Sequence, residues 1–147
     1  VMLDVRDIWI HMKAILRSAR QIVNSELTSL NLTGAEDDIV FHLLSTRDGL
    51  SQENLAERLD IGKAAISRIV NSLDSKGYIH RERQADDSRT YRVTLTDAAK
   101  DVSDRIEHAY RMAYEVSLRG ISESEFESFD RLLQKVYENL NLGESEI

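Results

Sequence analysis

The sequence predicts a mostly α-helical fold with one small β-hairpin, and three observations lead to this prediction. Apolar residues recur at helical spacing along most of the 147 residues, while residues 78–83 and 90–95 alternate as strands do. The chain contains no proline and only six glycines, so few positions interrupt its helices. An apolar content of 41% is enough for one core, and we expect residues 1–147 to form a single domain.

The first two helices are predicted from apolar spacing and from capping residues. Between about residues 7 and 30, apolar side chains follow at steps of three and four, which predicts one long helix with a stripe formed by Ile8, Met12, Ile15, Leu16, Ala19, Ile22, Val23, Leu27 and Leu30. This stripe is longer than a small domain needs for its own core, which indicates a partner surface. Thr33 and Glu36 form a capping box that predicts the second helix, and Asp48 with Gly49 predicts the turn that ends it.

Two short helices and the hairpin are predicted between residues 51 and 96. Ser51 is a suitable N-cap for the third helix, and a turn at residues 60–62 separates it from a fourth helix over about residues 63–76. Gly77 stands where a helix commonly ends with a left-handed residue. The alternating runs follow, joined by a polar loop. This order of elements is that of a winged helix-turn-helix.

Two further amphipathic helices are predicted after the hairpin. Thr96 is expected to cap the fifth helix, which ends near Gly120, and Ser122 with Glu125 forms a capping box for the sixth. Long apolar stripes at both termini would lie exposed in a single chain. We therefore expect residues 1–31 and 97–147 to be dimerisation helices that flank a winged helix-turn-helix core at residues 33–96.

The formal net charge of −7 is distributed unevenly, and its distribution favours double-stranded DNA as the partner. Residues 63–92 carry seven basic and four acidic side chains, whereas the remainder carries 12 basic and 22 acidic ones. Attraction to phosphate depends on the local patch, so the basic segment suits DNA while the acidic remainder opposes non-specific adhesion. A mixed-charge face on an ordinary acidic protein is the alternative interpretation.

The outward face of the fourth helix carries the residues predicted to read DNA. In a helix-turn-helix the second helix enters the major groove. With the apolar residues inward, the outward residues are Lys63, Ala64, Ser67, Arg68 and Asn71, with Ser72 as a further candidate. Arg68 has donors for guanine, Asn71 can bond adenine, and Ala64 can touch a thymine methyl group, while Lys63 suits phosphate. A solvated helix face is the alternative.

Arginines of the hairpin are predicted to bind beside the recognition helix. We expect Arg89 to enter the neighbouring minor groove, whose negative potential attracts arginine. Asp87 cannot contact phosphate favourably, and we expect it to bond an arginine and shape the tip. Arg81, Arg83 and Arg92 flank the hairpin, and strand alternation limits how many of them face DNA together. We include Arg81 and Arg83 among the DNA-binding residues.

Three motifs resemble those of the MarR family of bacterial and archaeal transcriptional regulators. They are L-A-x-x-L at residues 55–59, A-I-S-R-I-V-x-x-L-x-x-K-G-Y-I at residues 65–79, and the wing signature D-x-R-x-x-x-V-x-L-T at residues 87–96. The resemblance covers nearly the full chain and implies a homodimer that reads a palindromic operator. It assigns DNA contact to Ser67, Arg68, Asn71 and Arg89. Gly62 departs from the Asp or Ser cap common in the family, which weakens that cap slightly.

The resemblance also implies a repressor that is released by a small aromatic or phenolic effector. Candidate lining residues, chosen for their chemistry on the first two helices, are Trp9, His11, Met12 and His42. The alternative, which we favour, is that Trp9 and Met12 are core or dimer residues and that His42 is a satisfied interior histidine.

Other classes of function find less support in the sequence. Asp104 and His108 lie one helical turn apart, which would suit a metal-responsive regulator, but an exposed Asp–His contact explains the spacing equally well, so we assign no metal site and no cofactor. The absence of cysteine excludes thiol sensing. No phosphate loop, H-E-x-x-H or G-x-S-x-G motif is present, so we assign no catalytic residue and predict that the chain is not an enzyme.

The remaining expectations concern location and partner. No run approaches the roughly 20 apolar residues of a membrane helix, and the N-terminus lacks a signal pattern, so we expect a cytoplasmic protein without a membrane partner. A winged helix that serves as a protein-interaction module, with its basic face against an acidic partner, is the alternative to DNA binding.

Overall fold

The computed structural model describes residues 4–84 and 87–142, and for residues 84 and 87–90 it describes the backbone alone. Six α-helices and three β-strands lie in this part of the chain: α1 Val5–Leu27, α2 Gly34–Leu44, β1 Leu50–Ser51, α3 Gln52–Leu59, α4 Lys63–Ser75, β2 Ile79–Gln84, β3 Asp87–Leu95, α5 Lys100–Ser117 and α6 Glu123–Leu142. Short 3-10 turns at Thr28–Leu30 and Asp97–Ala99 precede α2 and α5. The predicted fold class, mostly α-helical with a small hairpin wing, is confirmed.

The chain forms two compact units, one up to Ala113 and one from Tyr114. In the first unit, the core is built from apolar side chains of α1 to α5 and of the sheet, and the most deeply buried are Ile39, Val40, Leu55, Ile66, Val70, Leu73, Val93 and Ile106. All of them except Val93, which lies on β3, come from the apolar faces of α2, α3, α4 and α5. Helical periodicity therefore accounts for most of this core.

The two ends of α1 have different surroundings. Val23 and Leu27, near its C-terminal end, lie in the core. The preceding turns expose a series of large apolar side chains: Val5, Ile8, Trp9, Ile10, Met12, Ile15 and Leu16. Burial of such a side chain is worth about 1.5–3 kcal/mol, so a surface of this size favours a partner.

In the second unit, α6 is also amphipathic, but none of its residues is buried. Its exposed large apolar residues are Phe129, Leu132, Val136, Tyr137, Leu140 and Leu142. Tyr114 and Phe126 contact each other edge to face, with ring centroids 5.9 Å apart. None of the helices in residues 4–84 and 87–142 has both the length and the apolar character needed to cross a membrane.

The predicted capping residues of α2, α3 and α6 have their expected hydrogen bonds. Thr33 and Glu36 exchange two bonds of 3.2 Å between backbone N–H groups and side-chain oxygens. Ser122 and Glu125 exchange bonds of 2.8 and 3.2 Å in the same way. The Ser51 hydroxyl accepts the third backbone N–H of its helix at 3.0 Å. Local sequence therefore set where these three helices begin.

The C-terminal end of α4 is joined to the base of the hairpin. Gly77 has a φ of +81°, its N–H donates to the Asp74 carbonyl at 2.9 Å, and the Tyr78 N–H donates to the Leu73 carbonyl at 3.1 Å. The Thr96 hydroxyl donates to the Gly77 carbonyl at 2.6 Å. The prediction that Thr96 caps the fifth helix was wrong, because Thr96 stands at the N-cap of a 3-10 turn that intervenes before α5, and its side chain makes no capping hydrogen bond. Helix end and hairpin base thus form one hydrogen-bonded unit.

The sheet contains one strand more than the sequence predicted. Its order is β1-β3-β2, all antiparallel, and β1 pairs only Leu50 with Val93 and Ser51 with Arg92. A strand of two residues is too short to show alternation. Gly49, which precedes β1, has a φ of +77°, and a Cβ atom there would lie 2.1 Å from the Val93 carbonyl oxygen. A glycine is thus required where β1 approaches β3.

Candidate nucleic-acid interface

The outward face of α4 is arranged as the sequence predicted. Ile66, Val70 and Leu73 are buried on the opposite face. Lys63, Ala64, Arg68 and Asn71 are exposed, and Ser67 is half-buried between the two faces. Within the described residues, the side chains of Lys63, Arg68 and Asn71 make no hydrogen bond or ion pair with the protein. A row of unengaged donors and acceptors of this kind is what base edges and phosphates require.

The N-terminal end of α4 has no side-chain cap. Gly62 is the N-cap residue, and it makes no side-chain hydrogen bond to the helix. The first N–H groups of α4 therefore lack the side-chain acceptor that an Asp or Ser would supply. Backbone N–H groups at a helix N-terminus, with the positive end of the helix dipole, attract anions such as phosphate.

An ion pair fixes the other end of α4 to α2. Glu36 is 3% exposed, and its carboxylate accepts from Lys76 Nζ at 2.9 Å while it also serves the capping box of α2. Lys76 Nζ donates in addition to the Asn31 carbonyl at 3.0 Å. The capping box predicted the hydrogen bonds of Glu36, but nothing in the sequence indicated that its carboxylate is buried. The pair fixes the direction of the recognition helix relative to its supporting helix.

Strand alternation places the hairpin arginines on two different faces. In the antiparallel pairing, Arg81 is opposite Val93 and Arg83 is opposite Tyr91, so these four side chains share one face of the sheet. Arg81 Nη1 donates to the Gln52 side chain at the start of α3 at 3.4 Å. Arg81 and Arg83 therefore lie together on the face that turns toward the helix-turn-helix.

Arg92 lies on the opposite face of the hairpin. It pairs with Glu82 across the strands, and its Nη1 donates to the carbonyls of Asp48 and Gly49 at 2.9 and 3.2 Å. These bonds hold the turn before β1 against β3, which gives Arg92 a structural role. Asp87 was predicted to shape the wing and Arg89 to enter the minor groove. Both lie where the structure describes the backbone alone, so these two predictions stay predictions.

The four candidate effector residues occupy different surroundings. Trp9, His11 and Met12 are exposed on α1, with 54% of Trp9 accessible. His42 is half-buried on α2, where its ring meets the Phe41 ring edge to face. Burial, together with the positive charge of Arg58, lowers the pKa of His42. Among the described contacts, none joins the three α1 side chains to His42.

A polar cluster between α1, α2 and α5 was missed at the level of sequence. Arg20 donates to Asp38 and, at 3.3 Å, to the Tyr110 hydroxyl, which itself donates to Asp38. The Tyr110 ring stacks on Phe41 with centroids 4.0 Å apart. Burial and the bond to Asp38 raise the pKa of Tyr110 far above its ordinary value. Asp38 is 18 residues from Arg20 and 72 residues from Tyr110 in sequence, so no local motif could have indicated the cluster.

Asp37, beside this cluster, is a second buried acid that the sequence did not reveal. It is 2% exposed, and its Oδ1 has no hydrogen-bond partner among the described residues. Burial is the main cause that raises the pKa of Asp37 to about 6, and the negative charges of Asp38 and Glu36 raise it as well. The positive charges of Arg20 and Lys76 lower the pKa but do not outweigh these effects. The start of α2 therefore holds an acid that titrates well above its usual range.

The weak metal candidates lie at the surface of α5. Asp104 and His108 are exposed and line a cavity of about 250 Å³ with Glu26 and Arg105. Within the described part of the chain, no group of three or more His, Cys, Asp or Glu residues is placed to hold a metal ion. Arg105 in the same cavity also opposes a cation.

Comparison with known proteins gives consistent results. Residues 30–90 match the sequence model of the MarR family. A MarR-family transcriptional regulator from Silicibacter pomeroyi is 28% identical, with 87% of this chain and 86% of that chain covered at a TM-score of 0.75. The transcriptional regulator SlyA is 25% identical, with coverages of 91% and 94% and a TM-score of 0.79. S. aureus MepR, solved as a complex with DNA, shares the fold at 19% identity, with coverages of 94% and 99% and a TM-score of 0.78.

These relatives are transcriptional regulators, which confirms the prediction that the chain is not an enzyme. The family match covers the winged-helix region, and the structural likeness extends over most of the chain. The protein therefore resembles the MarR family of transcriptional regulators, in sequence over residues 30–90 and in fold over most of its length.

Proposed function

We propose that this protein is a sequence-specific repressor that binds double-stranded DNA as a homodimer in the cytoplasm. The whole chain acts as one MarR-like domain, with residues 33–96 as the DNA-binding region. The observation that carries the proposal is the outward face of α4, where Lys63, Ala64, Arg68 and Asn71 are exposed without partners among the described residues. The DNA complex of the similarly folded MepR supports it.

The distribution of charge supports the same function. The basic segment of residues 63–92 stands out from an acidic chain and contains α4 and most of the hairpin. Arg81 and Arg83 lie on the hairpin face that meets α3, beside the helix that reads sequence. In the proposed complex, Lys63 and the hairpin arginines contact phosphate, Arg89 enters the minor groove, and Arg68 and Asn71 contact bases.

The proposed dimer would cover the apolar surfaces of α1 and α6. Each of these helices exposes six or more large apolar side chains in the single chain. A dimer would place two recognition helices on half-sites about one helical turn apart, roughly 10 bp, on a palindromic operator. Sedimentation equilibrium should show a dimer at micromolar concentration, and a stable monomer there would contradict this part of the proposal.

Release by a small aromatic or phenolic effector completes the proposed mechanism. Trp9, His11, Met12 and His42 remain its candidate contacts, with Trp9 and Met12 equally suited to the dimer surface. Selection of bound fragments from random DNA, repeated with a panel of phenolic acids and metal ions, tests operator and effector together. Metal ions serve here as the test of the Asp104–His108 alternative.

Arg68→Ala tests the assignment of the recognition helix. Arg68 is expected to form two hydrogen bonds to one guanine, so its loss should cost about 1–3 kcal/mol of binding and relax the preference at one base pair. Arg111→Ala is the matched control, because Arg111 is an exposed arginine of α5 paired only with Glu107 at 3.2 Å among the described residues. It should leave affinity and preference unchanged.

Two outcomes would count against the proposal. An unchanged sequence preference in Arg68→Ala would make Arg68 a phosphate or supporting residue. Failure of the wild-type protein to bind any genomic duplex at low salt would favour a protein-interaction module, since DNA binding through phosphate contacts strengthens steeply as salt is lowered.

A further inference from the structure

Tyr91 lies between two arginines at the base of the wing. The guanidinium carbon of Arg81 is 4.7 Å from the centroid of the Tyr91 ring, and that of Arg83 is 5.4 Å from it. Both distances fall within the range in which an aromatic ring attracts a cation. Two like charges, two residues apart on one strand, thus share a single ring.

Hydrogen bonds restrict both arginines further. Arg83 Nε donates to the Tyr91 hydroxyl at 3.0 Å, and Arg81 Nη1 donates to the Gln52 side chain at 3.4 Å. Val93, which follows Tyr91 on the same face of β3, is completely buried in the core. The ring therefore lies next to a buried part of the sheet, and Arg81, which it contacts, is also bonded to the first residue of α3.

We infer that Tyr91 is a positioning residue, which holds Arg81 and Arg83 in fixed directions before DNA arrives. This inference rests on the proposed DNA-binding function. An arginine loses side-chain freedom when it binds phosphate, and an arginine that is already ordered loses less. Tyr91 acts through the two arginines, so it strengthens DNA binding without touching DNA.

Substitutions of Tyr91 in two backgrounds test this role. In the wild-type background, Tyr91→Leu removes both ring and hydroxyl and should weaken duplex binding about three- to tenfold, whereas Tyr91→Phe keeps the ring and should weaken it about twofold. In the R81A/R83A background, neither substitution should have a further effect, because residues that act through a shared partner are not additive.

The measurement is duplex affinity by fluorescence anisotropy across a range of salt concentrations. R81A/R83A should lower the slope of log affinity against log salt by about one to two, as expected for lost phosphate contacts. Arg111→Ala serves as the charge control and should leave the slope unchanged. Thermal unfolding checks that each variant is folded. If Tyr91→Leu does not fold, the comparison between the two backgrounds is made with Tyr91→Phe instead.

Each contrary result has its own meaning. An equal loss of affinity on substituting Tyr91 in both backgrounds would overturn the inference and make Tyr91 a structural residue of the hairpin. Unchanged affinity and slope in R81A/R83A would also overturn it, while DNA binding through α4 would stand. A wild-type protein that binds no duplex would overturn the proposed function, and this inference with it.

Discussion

Replacing Gly49 by alanine should destabilise the protein far more than the same replacement at Gly77. The two glycines have nearly equal φ angles, +77° and +81°, so an alanine at either position costs about 1–2 kcal/mol for the left-handed backbone. Their surroundings differ. A Cβ atom at Gly49 would lie 2.1 Å from the Val93 carbonyl oxygen and 2.7 Å from Thr94 Cγ2, whereas one at Gly77 would meet nothing within 4 Å.

The size of the difference follows from what must move. The clash at Gly49 is with strand backbone, and β1 or β3 must shift by at least about 1.3 Å to restore an ordinary contact. Overpacking of this kind costs about 1–3 kcal/mol, and each hydrogen bond lost between β1 and β3 adds about 0.5–1.5 kcal/mol. We therefore expect a loss of about 3–5 kcal/mol for Gly49→Ala. For Gly77→Ala we expect about 1 kcal/mol, because alanine also restricts the unfolded chain.

Urea unfolding followed by circular dichroism at one fixed protein concentration measures both variants. The concentration must be held constant because a dimer gains stability by mass action. Equal slopes of the free energy of unfolding against urea would show that the variants unfold as the wild type does. Losses that agree within about 0.5 kcal/mol, the usual additivity error, would refute the close approach of Gly49 to β3.

Two carboxylates at the start of α2 give further predictions. The pKa of Asp37 is raised to about 6 in the folded state, whereas it is about 3.9 in the unfolded state. Between these pH values the folded state retains a proton that the unfolded state has lost, so stability falls as pH rises. The free energy of unfolding of Asp37→Asn should therefore exceed that of the wild type by about 1–3 kcal/mol at neutral pH and by little near pH 4. Urea unfolding at both pH values measures the difference. Lys76→Ala leaves the buried Glu36 carboxylate without its cation and should lower the free energy of unfolding by about 1–3 kcal/mol. This is less than for a fully buried pair, because Lys76 is partly exposed to solvent. A loss below about 0.5 kcal/mol would show that the Glu36 carboxylate is satisfied without Lys76.

Local patterns predicted most of the fold. The inward face of α4, the capping boxes at Thr33 and Ser122, and the left-handed Gly77 each depend on residues within one or two helical turns. Such features are encoded by spacing and by side-chain chemistry, and both can be recognised in the sequence. The exposed residues of the recognition helix followed once the inward face was known.

Contacts between distant residues could not be predicted in this way. Tyr91 was assigned no role, because only the register of β2 and β3 brings it between Arg81 and Arg83. Arg92 resembled its neighbours in sequence but lies on the other face, where it bonds backbone carbonyls. Thr96 matched the requirements of an N-cap, yet its hydroxyl donates to the distant Gly77 carbonyl and its oxygen makes no capping bond. In each case pairing across the fold, and not local preference, decided the role.

The division of α1 into an anchored and an exposed part has a mechanical consequence. Val23 and Leu27 lie in the core, and Arg20 is bonded to Asp38 and Tyr110, so the helix is fixed near its C-terminal end. About 15 residues of α1, roughly 22 Å at the rise of an ideal helix, extend from Arg20 to the N-terminal turn. A tilt of about 10° at the fixed end would displace the far end by nearly 4 Å, about the length of one peptide unit. In the proposed dimer, a tilt of α1 about the Arg20 cluster would therefore shift its exposed apolar side chains along the partner surface by about that distance.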